Sequence, residues 1–532
     1  MKKTKKLFLD VVAVNNYGKK AFLDSSEWPV TEKMFFVMVN FIFTKYISLL
    51  ENQNISNYSV GIIELNFVNR LIQIFHYNFI KNYAKENNVE LVFSEASKSL
   101  LYPNWNGLKN HYHNYSYPYN KLQRAIRRVL KAIIFNRNLG IFKIFKGVLF
   151  STNNSSLGSY DDIKKEYILP KNKFYQHYEW IDIIYEAKKK LNSFSASDIS
   201  DIKKTTNFFN TDVVDKMLLA IKSNPIFKKF IYGMDLTLIA NVWKKRVEGI
   251  FQIQIGLNKL KMPEELLITE AGNPFHKIIA AVYKKNNVKV INFSHGNDIA
   301  LINQKWTNFQ LFSICNFYAF ETKAIRCSFE KYKNKLPLEF KENIKYLNVK
   351  ENKNKKLEVL AKANKKKTNN IMLMGYPYNT IRYTDDVFCF FNFRLKLEIE
   401  VLKVLKQTSY NIIYKAHPDR FLELGSLMNE KKVNVVSERF ESVWNEADVL
   451  IFTYATTTTF GFALNCPIPI VLINMDTTPW IRERKKILEK RVAFISKSSK
   501  KNSKEINIEE LSKAISLAKE RVNIEAIKCL TG

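Results

Sequence analysis

The stretch Tyr410–Asn474 decides the fold: YNIIYKAHPDRF over 410–421, then VNVVSERFESVWNEADVLIFTYATTTTFGFALNCPIPIVLIN over 433–474. Ile412–Tyr414, Val433–Val436 and Asp448–Phe452 are short, mostly apolar runs, each ended by polar residues. Runs of this length with helical text between them predict parallel strands covered on both faces. In such sheets a ligand sits outside the carboxyl ends of the strands. Two groups fall at that edge: Lys415-Ala416-His417-Pro418 after the first run, and Thr456, Thr457, Thr458 and Thr459 after the third. The threonines should open a helix over Phe460–Asn465, and hydroxyls with free backbone N–H groups at a helix start attract anions. His417 can donate to a phosphate, and Pro418 fixes the turn that aims it. Together they read as a cradle for a nucleotide phosphate. The plainer alternative is a capped helix beside a solvated His-Pro turn.

Upstream, Ile371–Met374 reads as the first strand of this domain, with Gly375-Tyr376-Pro377-Tyr378-Asn379 as a turn and a helix around Arg394–Gln407. A late strand, Val492–Ile495, and a helix, Ile508–Val522, close it. Residues 341–370, dominated by Lys, Asn and Glu, read as a linker. Before the linker, Glu264–Asp298 repeats the α/β pattern: strand Leu266–Thr269, helix Asn273–Asn286, strand Val288–Phe293. The first strand ends at Glu270-Ala271-Gly272 and the second at Ser294-His295-Gly296. A carboxylate at the mouth of a cleft can act as general base on a hydroxyl. His295 can bond a leaving phosphate or serve as the base itself. Gly272 and Gly296 would permit close approach of backbone to a ligand. Glu270 also fits as a charge at a helix start, and His295 as a turn histidine. His276 falls inside the helix and reads as structural. Tyr318–Glu321 is a further strand.

The first hundred residues also alternate: strand Phe8–Val14, helix Glu32–Leu50, strand Val60–Leu65, helix Val68–Asn87, strand Glu90–Phe93. No GxGxxG follows any of them, so a dinucleotide fingerprint is absent. Tyr102–Tyr119, rich in Asn, Tyr and Pro, reads as a loop; His111 and His113 lack a nearby Cys or carboxylate for a metal, and the aromatic rings also suit stacking on sugars. Lys121–Phe150 carries Lys121, Arg124, Arg127, Arg128, Lys131, Arg137, Lys143 and Lys146 without one acid, interleaved with aliphatic residues at near-helical spacing. It reads either as a basic amphipathic helix at an anionic membrane surface or as a helical hairpin packed on the protein body. Residues 151–260 read as mostly helical, an insertion.

Over 532 residues, 46% hydrophobic and 14% aromatic content describes well-packed domains and not disorder. The net charge of +33 calls for an anionic partner, with compositional drift as a partial alternative. Nucleic acid is not expected, because no recognised binding fold accompanies the charge. Cys315, Cys327, Cys389, Cys466 and Cys529 form no CxxC, which points to reduced thiols in the cytoplasm and not to zinc. No apolar run approaches 18 residues, so no membrane span is expected. The lysines at 2, 3, 5 and 6 precede a stretch broken at Asp10, which reads as a first strand and not as a secretory signal.

Two α/β domains, a His-Gly turn late in the first, and Lys-x-His-Pro with a Thr run in the second resemble bacterial GT-B transferases of surface polysaccharides. The patterns are similar to capsule sialyltransferases and polysialyltransferases, Kdo transferases, and CDP-glycerol glycerophosphotransferases. In the sialyltransferase groups an acidic-acidic-Gly motif supplies the general base, and His-Pro and Ser/Thr motifs hold the CMP phosphate. Glu270-Ala271-Gly272, His417-Pro418 and Thr456–Thr459 resemble these in turn, and His295-Gly296 is similar to the His-Gly of the glycerophosphotransferases. Two departures stand out. Ala271 replaces a second acid, and Phe462-Ala463-Leu464 stands where many GT-B enzymes have Glu-Ala-Leu, which favours a CMP-linked donor.

The resemblance implies an α/β, GT-B-like fold: two Rossmann-like domains whose parallel sheets face a cleft, with a helical insertion in the first. The expected domains are 1–340 for the acceptor side (basic, helical insertion about 120–260), a linker over 341–370, and 371–532 for the nucleotide-sugar side. It implies a metal-independent glycosyltransferase without cofactor, using a nucleotide-activated donor and a glycan or lipid-linked acceptor. Glu270 or His295 would be catalytic; Gly272, Gly296, Lys415, His417, Pro418 and Thr456–Thr459 would bind the donor. Asp385-Asp386 lies in a loop and is not read as a metal-binding DxD. The enzyme would be cytoplasmic, peripheral on the inner face of the membrane through 121–150. Two alternatives remain: a CDP-polyol phosphotransferase of teichoic-acid type, and a non-catalytic basic protein that binds membrane or polyanions.

Overall fold

A computed structural model of the chain describes residues 5–51, 53–113, 120–136, 139, 143–144, 148, 154–158, 164, 167–168, 171, 173–269, 272–294, 301–302, 311–320, 322–333, 344–348, 369–378, 391–476, 478–498 and 505–531. The chain begins with β1 (Lys5–Phe8), α1 (Val11–Tyr17), α2 (Glu32–Leu50), α3 (Ile55–Glu86) and β2 (Val89–Val92). β1 and β2 pair in parallel as a sheet of their own, Lys5 opposite Val89 and Phe8 opposite Val92. The strand expected over Phe8–Val14 ends at Phe8, because Asp10 caps a helix. Its carboxylate accepts the Ala13 N–H at 2.9 Å and the Ser94 N–H at 2.8 Å.

The strand expected at Val60–Leu65 lies instead inside α3. Val60, Ile62, Ile63, Glu64 and Leu65 are all buried. An apolar run buried on every side has no period to separate strand from helix. Gly61 lets α2 close in: a Cβ there would lie 2.1 Å from Leu50 Cδ2. α2 is long and apolar enough to cross a membrane, yet eight of its residues, from Phe35 to Leu50, are buried in the first core.

The chain continues through α4 (Trp105–Lys109), α5 (Lys121–Phe135), β3 (Asn154–Leu157), β4 (Gln176–Tyr178), α6 (Trp180–Lys189), α7 (Leu236–Asn258) and β5 (Glu265–Ile268). It then runs through α8 (Pro274–Lys285), β6 (Lys289–Phe293), β7 (Phe317–Phe320), α9 (Lys323–Lys333) and β8 (Lys345–Asn348). β3 to β8 form a six-stranded sheet in the order β4-β3-β5-β6-β7-β8, parallel throughout. Side chains alternate between its faces as strand geometry requires. Leu266, Ile268, Val290, Tyr318 and Phe320 join one core; Leu267, Ile291, Phe293 and Ala319 join another. Both β3 and β4 arise from the stretch expected to be helical. Their sequences, NSSL and QHY, carry no apolar run to announce them. β8 arises from the stretch read as linker.

The last third holds β9 (Asn370–Met374), α10 (Phe391–Leu405), β10 (Asn411–Lys415), α11 (Phe421–Met428), β11 (Val433–Val436), β12 (Val449–Phe452) and α12 (Thr458–Leu464). β13 (Ile470–Met475), α13 (Arg482–Leu488), β14 (Ala493–Lys497), α14 (Ile508–Glu520) and α15 (Ile524–Thr531) complete it. A second six-stranded parallel sheet runs β11-β10-β9-β12-β13-β14. Ile371, Leu373, Ile412, Tyr414, Val449 and Ile451 face one core, and Met372, Met374, Ile413, Leu450 and Phe452 the other. Burial on both faces is why these strands read as continuous apolar runs.

The fold is therefore mixed α/β with two six-stranded parallel sheets, compatible with two Rossmann-like units. Several contacts join them. Phe8, Val11, Val14 and Phe22 share the core of the second sheet. Ile302 bridges Trp480 in antiparallel fashion, with the Ile481 N–H donating to the Leu301 carbonyl at 3.0 Å. α15 packs on α9.

Candidate functional site

The second sheet reverses its winding between β9 and β12: the chain builds outward to β10 and β11 on one side and to β13 and β14 on the other. In open parallel sheets such a reversal is where a crevice for ligands forms at the carboxyl edge. The loop after β9 begins at Gly375, where a Cβ would lie 2.5 Å from Tyr414 Oη, so no other residue fits without displacing that ring. Its next residue is clamped by Glu398 of α10. One carboxylate oxygen accepts the Tyr376 N–H at 2.7 Å, the other the Tyr414 hydroxyl at 2.6 Å. Glu398 is fully buried. Burial pushes its pKa up to about 7, against the hydrogen bonds from Tyr414 and the Tyr376 N–H and the charge of Arg394. Tyr454, just past β12, donates to the Gly375 carbonyl at 3.2 Å and meets the Tyr376 ring edge-on at 4.9 Å. Arg394 donates to the Thr453 carbonyl. Both walls of the crevice are thus fixed to one buried polar network.

Of the expected donor-binding residues, Lys415, His417, Pro418 and Thr456–Thr459 lie at the carboxyl ends of β10 and β12. β10 ends at Lys415, and Ala416 extends the pairing through its N–H to the Val436 carbonyl at 3.0 Å. His417 follows, half-buried, and Pro418 opens a single 3₁₀ turn whose Arg420 N–H donates to the His417 carbonyl at 3.2 Å. Lys415 differs from expectation. It is buried, and its ammonium bonds the Ala416 carbonyl at 2.7 Å. Burial lowers its pKa, with Glu438 and Glu441 pulling it back up.

Past β12, Thr456, Thr457 and Thr459 are half-buried and Thr458 is exposed. The helix starts at Thr458, two residues before the expected Phe460. Thr457 is its N-cap and accepts the Thr459 N–H at 3.3 Å, so one of the helix's free donors is already satisfied within the protein. At the other end of α12, the buried Arg491 caps the chain by donating to the carbonyls of Leu464 at 3.2 Å and Ile468 at 2.9 Å.

The first sheet has its own reversal, between β3 and β5. Gly158, in the left-handed region at φ +81°, leaves β3 so close to the end of β5 that a Cβ would lie 2.6 Å from the Thr269 carbonyl oxygen. The buried Lys164 donates to the Leu157 carbonyl at 2.8 Å and the Thr269 hydroxyl at 3.3 Å. His276 Nδ1 lies 3.1 Å from the Thr269 carbonyl. His177 is held neutral, its pKa pushed to about 3 by burial and then by Lys164, Lys131 and His276. Glu270, Ala271, His295 and Gly296 lie outside the described residues. Gly272 is exposed, a Cβ there would meet nothing within 4 Å, and its carbonyl accepts from Asn66 at 2.6 Å. At this edge of the first sheet, Gly158 is packed tightly against backbone and Gly272 is not.

Sequence reasoning missed Glu398, Arg394, Tyr414 and Tyr454 in the second sheet, and Lys164 and His177 in the first. The Gly at the end of β9 was the available signal for the former; nothing in the text around Lys164 marks it. Among the described residues no cluster of His, Cys, Asp and Glu is arranged to hold a metal. No protein-family model matches the chain, and a search among curated proteins finds no match.

Proposed function

We propose that this protein is a GT-B-like glycosyltransferase that uses a nucleotide-activated sugar, with a CMP-linked donor favoured, to extend a bacterial surface glycan. The observation that carries the reading is the strand order β10-β9-β12. It sets the His417-Pro418 turn and the Thr456–Thr459 run at the carboxyl ends of the two strands flanking β9, beside the crevice where parallel sheets bind ligands. His417 and the threonine hydroxyls would hold the donor phosphate and stabilise the charge that develops on it as the bond to the sugar breaks. Glu270 would take the proton from the acceptor hydroxyl as its oxygen bonds the sugar, with His295 as the other candidate base. Lys415 adds positive charge beside the phosphate, with one of its three ammonium donors on the Ala416 carbonyl. The Ser294–Leu301 connection supports a cleft. It leaves the carboxyl end of β6 and reaches the strand-like pair Ile302–Trp480, just past β13. Seven residue steps span at most about 25 Å, so the two carboxyl edges lie within reach of one another.

Calorimetric titration of CMP, CDP, UDP and GDP into wild type and His417→Ala tests the reading. CMP should bind wild type and at least tenfold more weakly to the variant. A preference for CDP would favour a polyol-phosphate transferase on the same fold. Absence of any nucleotide binding by the folded protein would overturn the proposal.

A further inference from the structure

We infer that the cleft between α4, the start of α6 and the start of α8 binds an uncharged sugar unit of a glycan. The cleft has a volume of about 540 Å³ and is open to solvent, within the range of small-ligand sites. Its apolar wall is the ring pair Trp180 and Phe275, stacked at 4.1 Å and 6°. Its polar wall is four side-chain amides, Asn104, Asn106, Asn110 and Asn273. An aromatic surface and planar amides lining one cleft are the chemistry that receives a pyranose: C–H groups against the ring, vicinal hydroxyls against the amides.

The amides are oriented by the fold. Asn104 Oδ1 accepts the Gly107 N–H at 2.9 Å, Asn273 Oδ1 the Phe275 N–H at 2.9 Å, and Asn106 Oδ1 the Asn110 side-chain N–H at 2.9 Å. Among the described residues, the NH₂ groups of Asn104, Asn106 and Asn273 and the Oδ1 of Asn110 have no hydrogen-bond partner. They are donors and acceptors left for a ligand. The segment that carries three of them is pinned from behind by the buried Glu64–Arg246 pair. Arg246 donates to the Leu108 carbonyl at 3.0 Å, and Tyr112 donates to Glu64 at 3.1 Å.

Charge decides which sugars fit. In a chain of net charge +33, the cleft lining contains no Lys, Arg, Asp or Glu. Its one ionisable group, His111, stays partly exposed to solvent, and partial loss of hydration, then the Arg246 charge, lower its pKa to about 4. A sialic acid, uronic acid or phosphate would find no counter-charge here, whereas a neutral hexose or N-acetylhexosamine needs none. Asn273 follows Glu270 by three positions. That this is the acceptor side of the enzyme rests on the transferase reading; the sugar binding itself does not.

Saturation-transfer NMR with lactose, maltose, N,N′-diacetylchitobiose and, as the anionic contrast, sialyllactose tests the inference on wild type, Trp180→Ala and Asn106→Asp. Asn106→Asp keeps the acceptor for Asn110 and replaces the donor group facing the cleft with a charged oxygen acceptor, so it reports on binding even if loss of the Trp180 stack unfolds the protein. At least one neutral disaccharide should bind wild type in the millimolar range and at least tenfold more weakly to Asn106→Asp, whose melting temperature is unchanged. No neutral sugar bound, binding only of sialyllactose, or equal binding to the variants would overturn the inference. Nucleotide titrations on the same samples report separately: their failure with sugar binding intact counts against the transferase reading alone.

Discussion

Glu398 couples the crevice to pH. Its carboxyl keeps a proton in the folded protein at pH values where the unfolded chain has lost it, because its pKa moves from 4.5 to about 7. For an acid raised in this way, the contribution to stability is whole below pH about 4.5 and is lost as pH rises to about 7. The slope reaches about 1.4 kcal/mol per pH unit. Glu265, at the opposite edge of the first sheet, has the other sign. Burial alone would raise it, but bonds from Lys289, Tyr175 and Tyr167 and the Lys171 charge outweigh that and lower it, so its contribution is lost as pH falls. Urea denaturation from pH 5 to 8 should therefore show a decline in wild type that flattens in Glu398→Gln; parallel profiles would contradict the account. His417 and Thr457 were legible because their signal is local: a His-Pro turn and a cap beside a strand end. Glu398 was not, since its partners Tyr376 and Tyr414 lie 22 and 16 residues away and only the fold brings them together.

At the scale of elements, α5 is unusual. Asn120 and Gln123 form a capping box that starts it firmly. Arg127 and Lys131 both pair with Glu179. Ile126, Leu130, Ile133 and Ile134 stand on the exposed side. Ala132 packs with Leu139, Ile144 and Val148 in a small core of its own, so part of the apolar face is covered, and the exposed aliphatic side chains leave the proposed attachment to an anionic membrane to be tested. Cosedimentation with phosphatidylglycerol vesicles should be weakened on the order of a thousandfold when all four are replaced by serine, at about 1 kcal/mol for each partly exposed side chain, with little change in thermal stability. Unchanged binding would leave charge alone as the attraction. Elements differed widely in legibility. Strands buried on both faces, β5, β6, β9, β10 and β12, were visible as apolar runs. β3 and β4 were not, because NSSL and QHY reach their places by pairing with β5 and with each other and not through their own propensity. The buried run of α3 was visible but carried no period.

For the whole molecule, two parallel sheets and a chain that passes between them were partly readable: each α/β unit announced itself, but how the N-terminal segment packs did not. Phe8 of β1 and the buried side of α1 lie with the second core although they are far from it in sequence, while Leu7 lies with the first, and Lys19 and Lys406 meet at Glu430 beside them. The central claim concerns the whole arrangement: a nucleotide occupies the crevice that β9 and β12 open, flanked by His417. Hydrogen–deuterium exchange with and without saturating CMP tests it most directly. The account predicts slowed exchange concentrated in 375–378, 416–420 and 454–460, with the amino edges of both sheets unchanged. Protection elsewhere, or no difference on adding the nucleotide, would contradict it.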